Sequence, residues 1–160
     1  MVAILGLLPI GVNSNQTSIQ QTSAANLAKA VSSDLRVTPA ASGTNSYATS
    51  PVYGFQIPAP GYNSTVPSCQ TVFFAESGNP TGAMGAIPAS GAATSPGTME
   101  TTLSRFRVSV SFTAPAATGQ KTATVAYIIV TWPALADPTP GNPPANYSGA
   151  YETVTALNRN

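Results

Sequence analysis

The sequence predicts an α+β fold in which a long N-terminal α-helix packs on an antiparallel β-sheet. Three features predict it: residues 13–36 repeat apolar positions at helical spacing, residues 103–132 contain two segments with strand character, and the helical segment comes first along the chain. A helical run followed by a run of strands is typical of α+β proteins. We therefore expect an N-terminal helix over residues 1–36 and an antiparallel β domain over residues 37–160.

The first twelve residues, MVAILGLLPIGV, contain no charged or polar side chain. A bilayer-spanning helix needs about 20 apolar residues, and a signal peptide needs a basic region before its apolar stretch, whereas the first basic residue here is Lys29. The segment is then either the lower part of a longer apolar helix or a segment buried against protein. The second case includes both an assembly segment and a core helix of a globular domain. As an assembly segment it would bury Met1, Val2, Ile4, Leu5, Leu7, Leu8, Pro9, Ile10 and Val12.

A kink or a locally unwound stretch is predicted near Gly6–Gly11. Pro9 removes one helical hydrogen bond and clashes with the preceding turn, and glycine in a helix interior costs about 1 kcal/mol relative to alanine. A helix that rearranges on packing into a polymer would use such a stretch.

The amphipathic part of the helix, residues 13–36, carries an apolar stripe. Its members recur at spacings of eight, four and four residues, which place them on one face; they are Ile19, Leu27, Val31 and Leu35. Pro39 prevents the helix from continuing. We expect the helix to run from about Ser18 to Leu35 and the stripe to pack on the sheet.

Two adjacent segments carry the clearest strand pattern. Over residues 103–113, bulky residues alternate with polar ones, so one side is predicted to face the core (Phe106, Val108, Val110, Phe112) and the other to face water (Arg105, Arg107, Ser109, Ser111). Residues 122–132, TATVAYIIVTW, are the most apolar segment and are predicted to form a central strand. The turn-like sequence APAATGQ between them predicts a hairpin.

The remaining chain is predicted to contain shorter strands and loops. Residues 71–75 and 151–157 read as strands, and residues 52–57 as a short edge strand. Residues 78–97, rich in Gly, Ala, Pro, Ser and Thr, are predicted to form a surface loop. Residues 133–144 are predicted to form an irregular loop because they contain repeated prolines.

No catalytic constellation is found in the sequence, so we do not expect an enzyme, a cofactor or a bound metal. Histidine is absent, which removes the commonest general base and zinc ligand. Cys69 is the single cysteine, so no intrachain disulfide can form. Asp137 in the loop DPTPGNPP is the one candidate for calcium, and a plain loop is the favoured interpretation because one acid is few.

Charge is sparse, at 7% of residues with a net charge of +1, against about 25% in average soluble proteins. The sequence therefore predicts no electrostatic binding of nucleic acid. Three Asn-X-Ser/Thr triplets are candidate glycan acceptors: Asn15, Asn63 and Asn146.

Residues 1–39, especially AILGLLPIG and SIQQTSAANLAKAVSSDLRVTP, resemble the type IV pilin-like superfamily. Within it they are most similar to the prepilin-like Verru_Chthon cassette protein B family, with a weaker likeness in the closing VTALNRN. The resemblance implies a protruding N-terminal helix, a leader removed by a prepilin peptidase, and helical filaments; Gly6 and Pro9 match the place where pilin helices often lose helicity.

Two departures from the pilin pattern stand out. The glutamate that usually partners a neighbouring subunit's amine is assigned to no residue, because no acid precedes Asp34. The C-terminal disulfide loop of many pilins cannot form with Cys69 alone.

The sequence and the resemblance together lead us to expect a structural subunit of an extracellular type IV pilus-like or pseudopilus-like filament on a bacterial cell. Its partners would be copies of itself, and the inner membrane before assembly. The alternative is a membrane-anchored monomer that acts as a surface adhesin or carbohydrate-binding module.

Overall fold

The computed structural model describes residues 8–41, 47–59, 69–81, 99–113, 123–140 and 143–158, and side chains of the first range from residue 15 onward. The elements are α1 (Leu8–Val37), β1 (Tyr47–Thr49), β2 (Gln56–Pro58), β3 (Gln70–Phe74), β4 (Pro80–Thr81), β5 (Phe106–Phe112), β6 (Thr124–Trp132), a 3₁₀ turn (Ala134–Ala136) and β7 (Gly149–Leu157). An N-terminal helix with antiparallel strands confirms the α+β class.

Helix α1 extends beyond the predicted bounds of Ser18 and Leu35 at both ends, and residues 1–7 of the N-terminal helix predicted over residues 1–36 lie outside the described chain. The backbone of residues 8–11 is helical, so the alternative of local unwinding near Gly6–Gly11 is wrong for these residues. The alternative of a kink stays a prediction, and Gly6 lies outside the described chain. The helix ends two residues before Pro39, and Thr38 Oγ1 donates to the Asp34 carbonyl at 2.8 Å.

The main sheet has five strands in the order β4-β3-β5-β6-β7, and every neighbouring pair is antiparallel. The predicted hairpin between residues 103–113 and 122–132 is confirmed as β5–β6, with Val108 opposite Val130. Strand β6 is internal, as predicted, but β5 is the middle strand of the five. The short strand β4 was not expected within the predicted 78–97 loop, of which residues 82–97 lie outside the described chain.

The core lies between α1 and one face of the sheet. Apolar side chains of α1 pack there against those of β5, β6 and β7, and the same cluster extends to residues of β3. Burying each Val or Leu contributes about 1.5–3 kcal/mol. The α1 contribution consists of Ala24, Leu27, Ala28, Val31 and Leu35.

A second, two-stranded hairpin of β1 and β2 covers the same face over β3. The predicted edge strand at residues 52–57 is only partly correct, because residues 51–53 form a turn and only residues 56–57 are strand. Gly54 takes φ +73° in that turn, a conformation that favours glycine. The side chain of Gln70 joins the hairpin to β3 by accepting from Gln56 N (2.7 Å) and donating to the Gln56 carbonyl (2.6 Å).

On the opposite face of the sheet, the prediction that the polar side of β5 faces water was wrong for two residues. Arg107 and Ser109, predicted to face water, are both buried. The reason is the chain that follows β6: Ala134 N donates to the Arg105 carbonyl (2.9 Å), and the Asp137 carboxylate accepts from Arg107 Nη1. Alternation correctly separated the two faces, but it does not reveal that a loop returns over the polar one.

Gly149 occupies a position on β7 that admits no side chain. It lies opposite Trp132 in register, and a Cβ built on it would meet the indole ring well inside van der Waals contact. We expect Gly149→Ala to destabilise the protein by about 2 kcal/mol, since Trp132 is buried edge-on to Phe106 and cannot move freely. Urea unfolding followed by Trp132 fluorescence measures the loss, with Ala150→Ser, at an exposed β7 position, as the control. Equal midpoints for the two variants would contradict the expectation.

Candidate assembly surface on the N-terminal helix

Helix α1 divides into a part that projects and a part that is packed. Every side chain from Asn15 to Thr22 is exposed. From Ala24 to Leu35, by contrast, one side of the helix is buried against the sheet. An exposed polar helix of two turns gains little stability by itself, so its conformation depends on the packed half that it continues.

Three of the four predicted packing residues lie in the core, namely Leu27, Val31 and Leu35. The prediction for Ile19 needs correction, because 49% of its surface is exposed. It lines an open pocket of about 220 Å³ with Phe106 and Trp132 at the end of the sheet. The helical period identifies the correct face but does not say where the sheet beneath it ends.

Two polar contacts fix the C-terminal half of α1 to the body. The buried Asp34 carboxylate accepts from the backbone N–H groups of Val52 and Tyr53, at 3.1 Å each, and thereby holds the turn between β1 and β2. Arg36 Nε donates to Thr155 Oγ1 at 2.8 Å and ties the last turn to β7. The exposed N-terminal part of α1 therefore continues a C-terminal half that is attached to β7 and to the β1–β2 turn.

The outward side of α1 is nearly uncharged. Among the described side chains of the helix, the charged ones are Lys29, Asp34 and Arg36. Asp34 is buried, so the exposed charges of the described helix are Lys29 and Arg36, which lies in its last turn and donates to the neutral Thr155 hydroxyl. Such a surface supports close packing of neighbouring molecules without like-charge repulsion.

The proposed assembly residues Met1, Val2, Ile4, Leu5 and Leu7 lie outside the described chain. Leu8, Pro9, Ile10 and Val12 lie on the helical backbone, but their side chains are not described. The apolar segment thus leads directly into the projecting part of α1.

The candidate glycan acceptors occupy different settings. Asn15 is exposed on the projecting helix and Asn146 is exposed in the loop before β7, whereas Asn63 lies outside the described residues. Access to solvent is necessary for glycosylation, so the geometry of the first two is compatible with the prediction.

The described residues offer little reactive chemistry. No group of three or more His, Cys, Asp or Glu side chains comes together within them. Burial raises the pKa of the Cys69 thiol, and the nearby Arg107 charge only partly offsets this, so the thiol is a poor nucleophile. Burial, followed by the Asp34 carboxylate, raises the pKa of Tyr53.

Asp137, the calcium candidate, is already engaged by Arg107 Nη1 and by the backbone N–H of Ala145 at 2.9 Å. This arrangement supports the plain-loop interpretation, because the carboxylate is neutralised by an arginine. Sequence reasoning missed the partnership, since thirty residues separate Arg107 from Asp137.

Comparisons with family models, curated proteins and solved structures found no match to this chain. Within the described residues, no helix combines the length and the hydropathy needed to cross a membrane.

Proposed function

We propose that the protein is a structural subunit of an extracellular type IV pilus-like or pseudopilus-like filament. In this proposal the apolar residues 1–12 and the projecting part of α1 bundle with those of neighbouring copies, and the β domain forms the outer wall. The observation that carries the proposal is the division of α1, which is packed on the sheet from Ala24 to Leu35, whereas every side chain from Asn15 to Thr22 is exposed and Ile19 is half covered by the end of the sheet.

The division of α1 supports the proposal because a helix segment whose side chains all stay exposed on its own domain gains further burial only from another molecule. The segment that precedes it has twelve residues without a charged or polar side chain, and burying apolar surface is the main driving force of association. Small residues such as Gly6 and Gly11 would also let neighbouring helices approach closely.

The anchoring of α1 also supports the proposal. A filament subunit must transmit load between its central helix and its outer domain. The contacts of Asp34 with the β1–β2 turn and of Arg36 with β7 join the helix to two separate parts of the body. The resemblance of residues 1–39 to pilin-like proteins adds the expectation that copies polymerise helically.

Deleting residues 1–12 is expected to leave a folded body that no longer polymerises. Only residues 8–12 of the deleted segment belong to the described helix, and they lie before the packed part of α1. Negative-stain electron microscopy and analytical ultracentrifugation of the full chain and the truncation give the assembly state. Circular dichroism shows whether the truncation stays folded.

A matched pair of point variants separates the apolar segment from the general surface. Leu5→Lys places a charge in the apolar segment, whereas Leu103→Lys makes the same change at an exposed turn of the body. We expect the first variant to lose filaments and the second to keep them. Filaments from the truncation, or a full chain that stays monomeric in detergent as an anchored adhesin would, contradict the proposal.

A further inference from the structure

Strand β7 forms one edge of the main sheet over its full length. Its nine residues pair with β6 in an unbroken ladder from Gly149–Trp132 to Leu157–Thr124, and no described strand pairs with its outer side. In an edge strand, alternate backbone N–H and C=O groups point outward without a strand partner. Another extended chain can pair with all of these outward N–H and C=O groups at once.

The two edges of the sheet are protected to very different extents. Strand β4, at the other edge, has only two residues, and one of them is Pro80. Proteins usually block edges with short strands, prolines, lysines or bulges. Strand β7 has none of these, and its one charged residue is Glu152. Of the two edges that the described strands form, β7 is therefore the one that is open to pairing.

An exposed apolar pair lies beside the open edge. Val154 on β7 is 58% exposed, and Tyr127, its direct partner on β6, is 47% exposed. Both lie on the face of the sheet opposite α1, because their neighbours Ala126 and Ile128 point into the core. A strand added to β7 would cover this pair with its own side chains.

We propose that β7 pairs with β7 of a second copy, antiparallel, with Val154 opposite Val154 of that copy. This register continues the apolar row across the junction, from Tyr127 through two valines to the second Tyr127. It also places Glu152 opposite Ala156. A parallel pairing in register, or an antiparallel one centred on Glu152, would set two carboxylates side by side, which is unfavourable.

A second copy fits this edge because the register centred on Val154 sets apolar residues opposite each other and places the one carboxylate of each strand opposite an alanine. Two-fold pairing presents the same patch on both molecules, and the near-neutral strand generates no repulsion. The inference goes beyond the proposed filament. Antiparallel pairing reverses one molecule relative to the other, so it cannot join neighbours in a polar filament and would link two filaments or two free subunits.

Cysteine cross-linking of the full chain in detergent tests the register. Opposed residues in an antiparallel pair have Cα atoms about 4.5–5.5 Å apart, within disulfide range. We expect Val154→Cys to give a covalent dimer under mild oxidation, and Val52→Cys, at an exposed turn with 62% exposure, to give at least about tenfold less. Equal yields for the two variants would overturn the proposal, and a higher yield from Glu152→Cys would overturn this register.

A lysine at the same position tests the energetics of pairing. Val154→Lys removes the apolar contact and opposes two like charges, so we expect dimerisation to weaken by about tenfold, while Val52→Lys leaves it unchanged. Sedimentation equilibrium gives the dimer dissociation constants of the wild type and of both variants. A constant for Val154→Lys equal to that of the wild type would refute the pairing. Filaments that persist in Val154→Lys and vanish in Leu5→Lys keep this inference separate from the proposed function.

Discussion

Replacing Asp137 with alanine is expected to destabilise the protein by about 3–5 kcal/mol. Arg107 is completely buried on the face of the sheet opposite α1, and its guanidinium forms an ion pair with Asp137. Removing the carboxylate leaves a positive charge in a site from which water is excluded. Breaking one half of a buried pair costs much more than the pair itself contributes, because the remaining charge keeps its desolvation penalty.

The same substitution also releases the loop that closes this face. Asp137 accepts from Ala145 N in addition to Arg107, so it connects the chain after β6 to the chain before β7. Ala145 is exposed, and water can replace its lost acceptor. The main loss therefore arises from Arg107.

A double variant distinguishes this explanation from a general effect of mutating the loop. Combining Arg107→Met with Asp137→Leu removes both charges and keeps apolar volume, and we expect its stability to lie within about 1 kcal/mol of the wild type or above it. Glu100→Ala, which removes an exposed acid, should change stability by less than about 0.5 kcal/mol. Urea unfolding measures every variant, and the wild type, Arg107→Met, Asp137→Leu and the double variant complete the cycle. A cost below about 1 kcal/mol for Asp137→Ala would show that Arg107 does not depend on this partner.

The elements with strong periodicity were predictable from the sequence. The helical stripe, the alternation in β5 and the apolar run of β6 are local patterns, and each element formed where its pattern lies. The predicted ends of these elements were less accurate than their positions. Strand β5 starts at Phe106, not near Leu103, because residues 101–103 form a turn.

Features that depend on contacts distant in sequence were not predictable. Arg107 looked like a surface residue because alternation cannot detect the loop that brings Asp137 over it. Strand β1 was missed and β2 was only partly predicted, because each has three residues. The link between them and α1 depends on Asp34, which lies 18 residues before Val52 in the sequence.

The candidate assembly surface was foreseen in part. The sequence identified the apolar segment and the stripe that anchors the helix, since both are local in the chain. It could not show that burial begins near Ala24, because that boundary depends on where the sheet ends. The position of β7 at an edge of the sheet could not be predicted either, because strand order depends on how the whole sheet assembles.

Replacing Leu35 with alanine is expected to destabilise the protein by about 3 kcal/mol. Leu35 is fully buried in the last turns of α1, where the helix meets the sheet. Its truncation leaves a cavity between two rigid layers that cannot collapse completely. Arg36 and Asp34, its neighbours, attach the helix to β7 and to the β1–β2 turn, so the backbone has little freedom to fill the space.

Ile19→Ala removes a similar aliphatic side chain from the same predicted stripe and provides the matched comparison. Because Ile19 lies on the projecting part of α1 and is half exposed, we expect a loss of stability below about 1 kcal/mol. Urea unfolding followed by Trp132 fluorescence compares the two variants, and electron microscopy reports their assembly. If the projecting helix packs against other copies, Ile19→Ala weakens filaments without unfolding the body, whereas Leu35→Ala lowers the unfolding midpoint first. Equal destabilisation by the two variants would mean that α1 is packed along its whole length, and the division of the helix on which the filament proposal depends would be wrong.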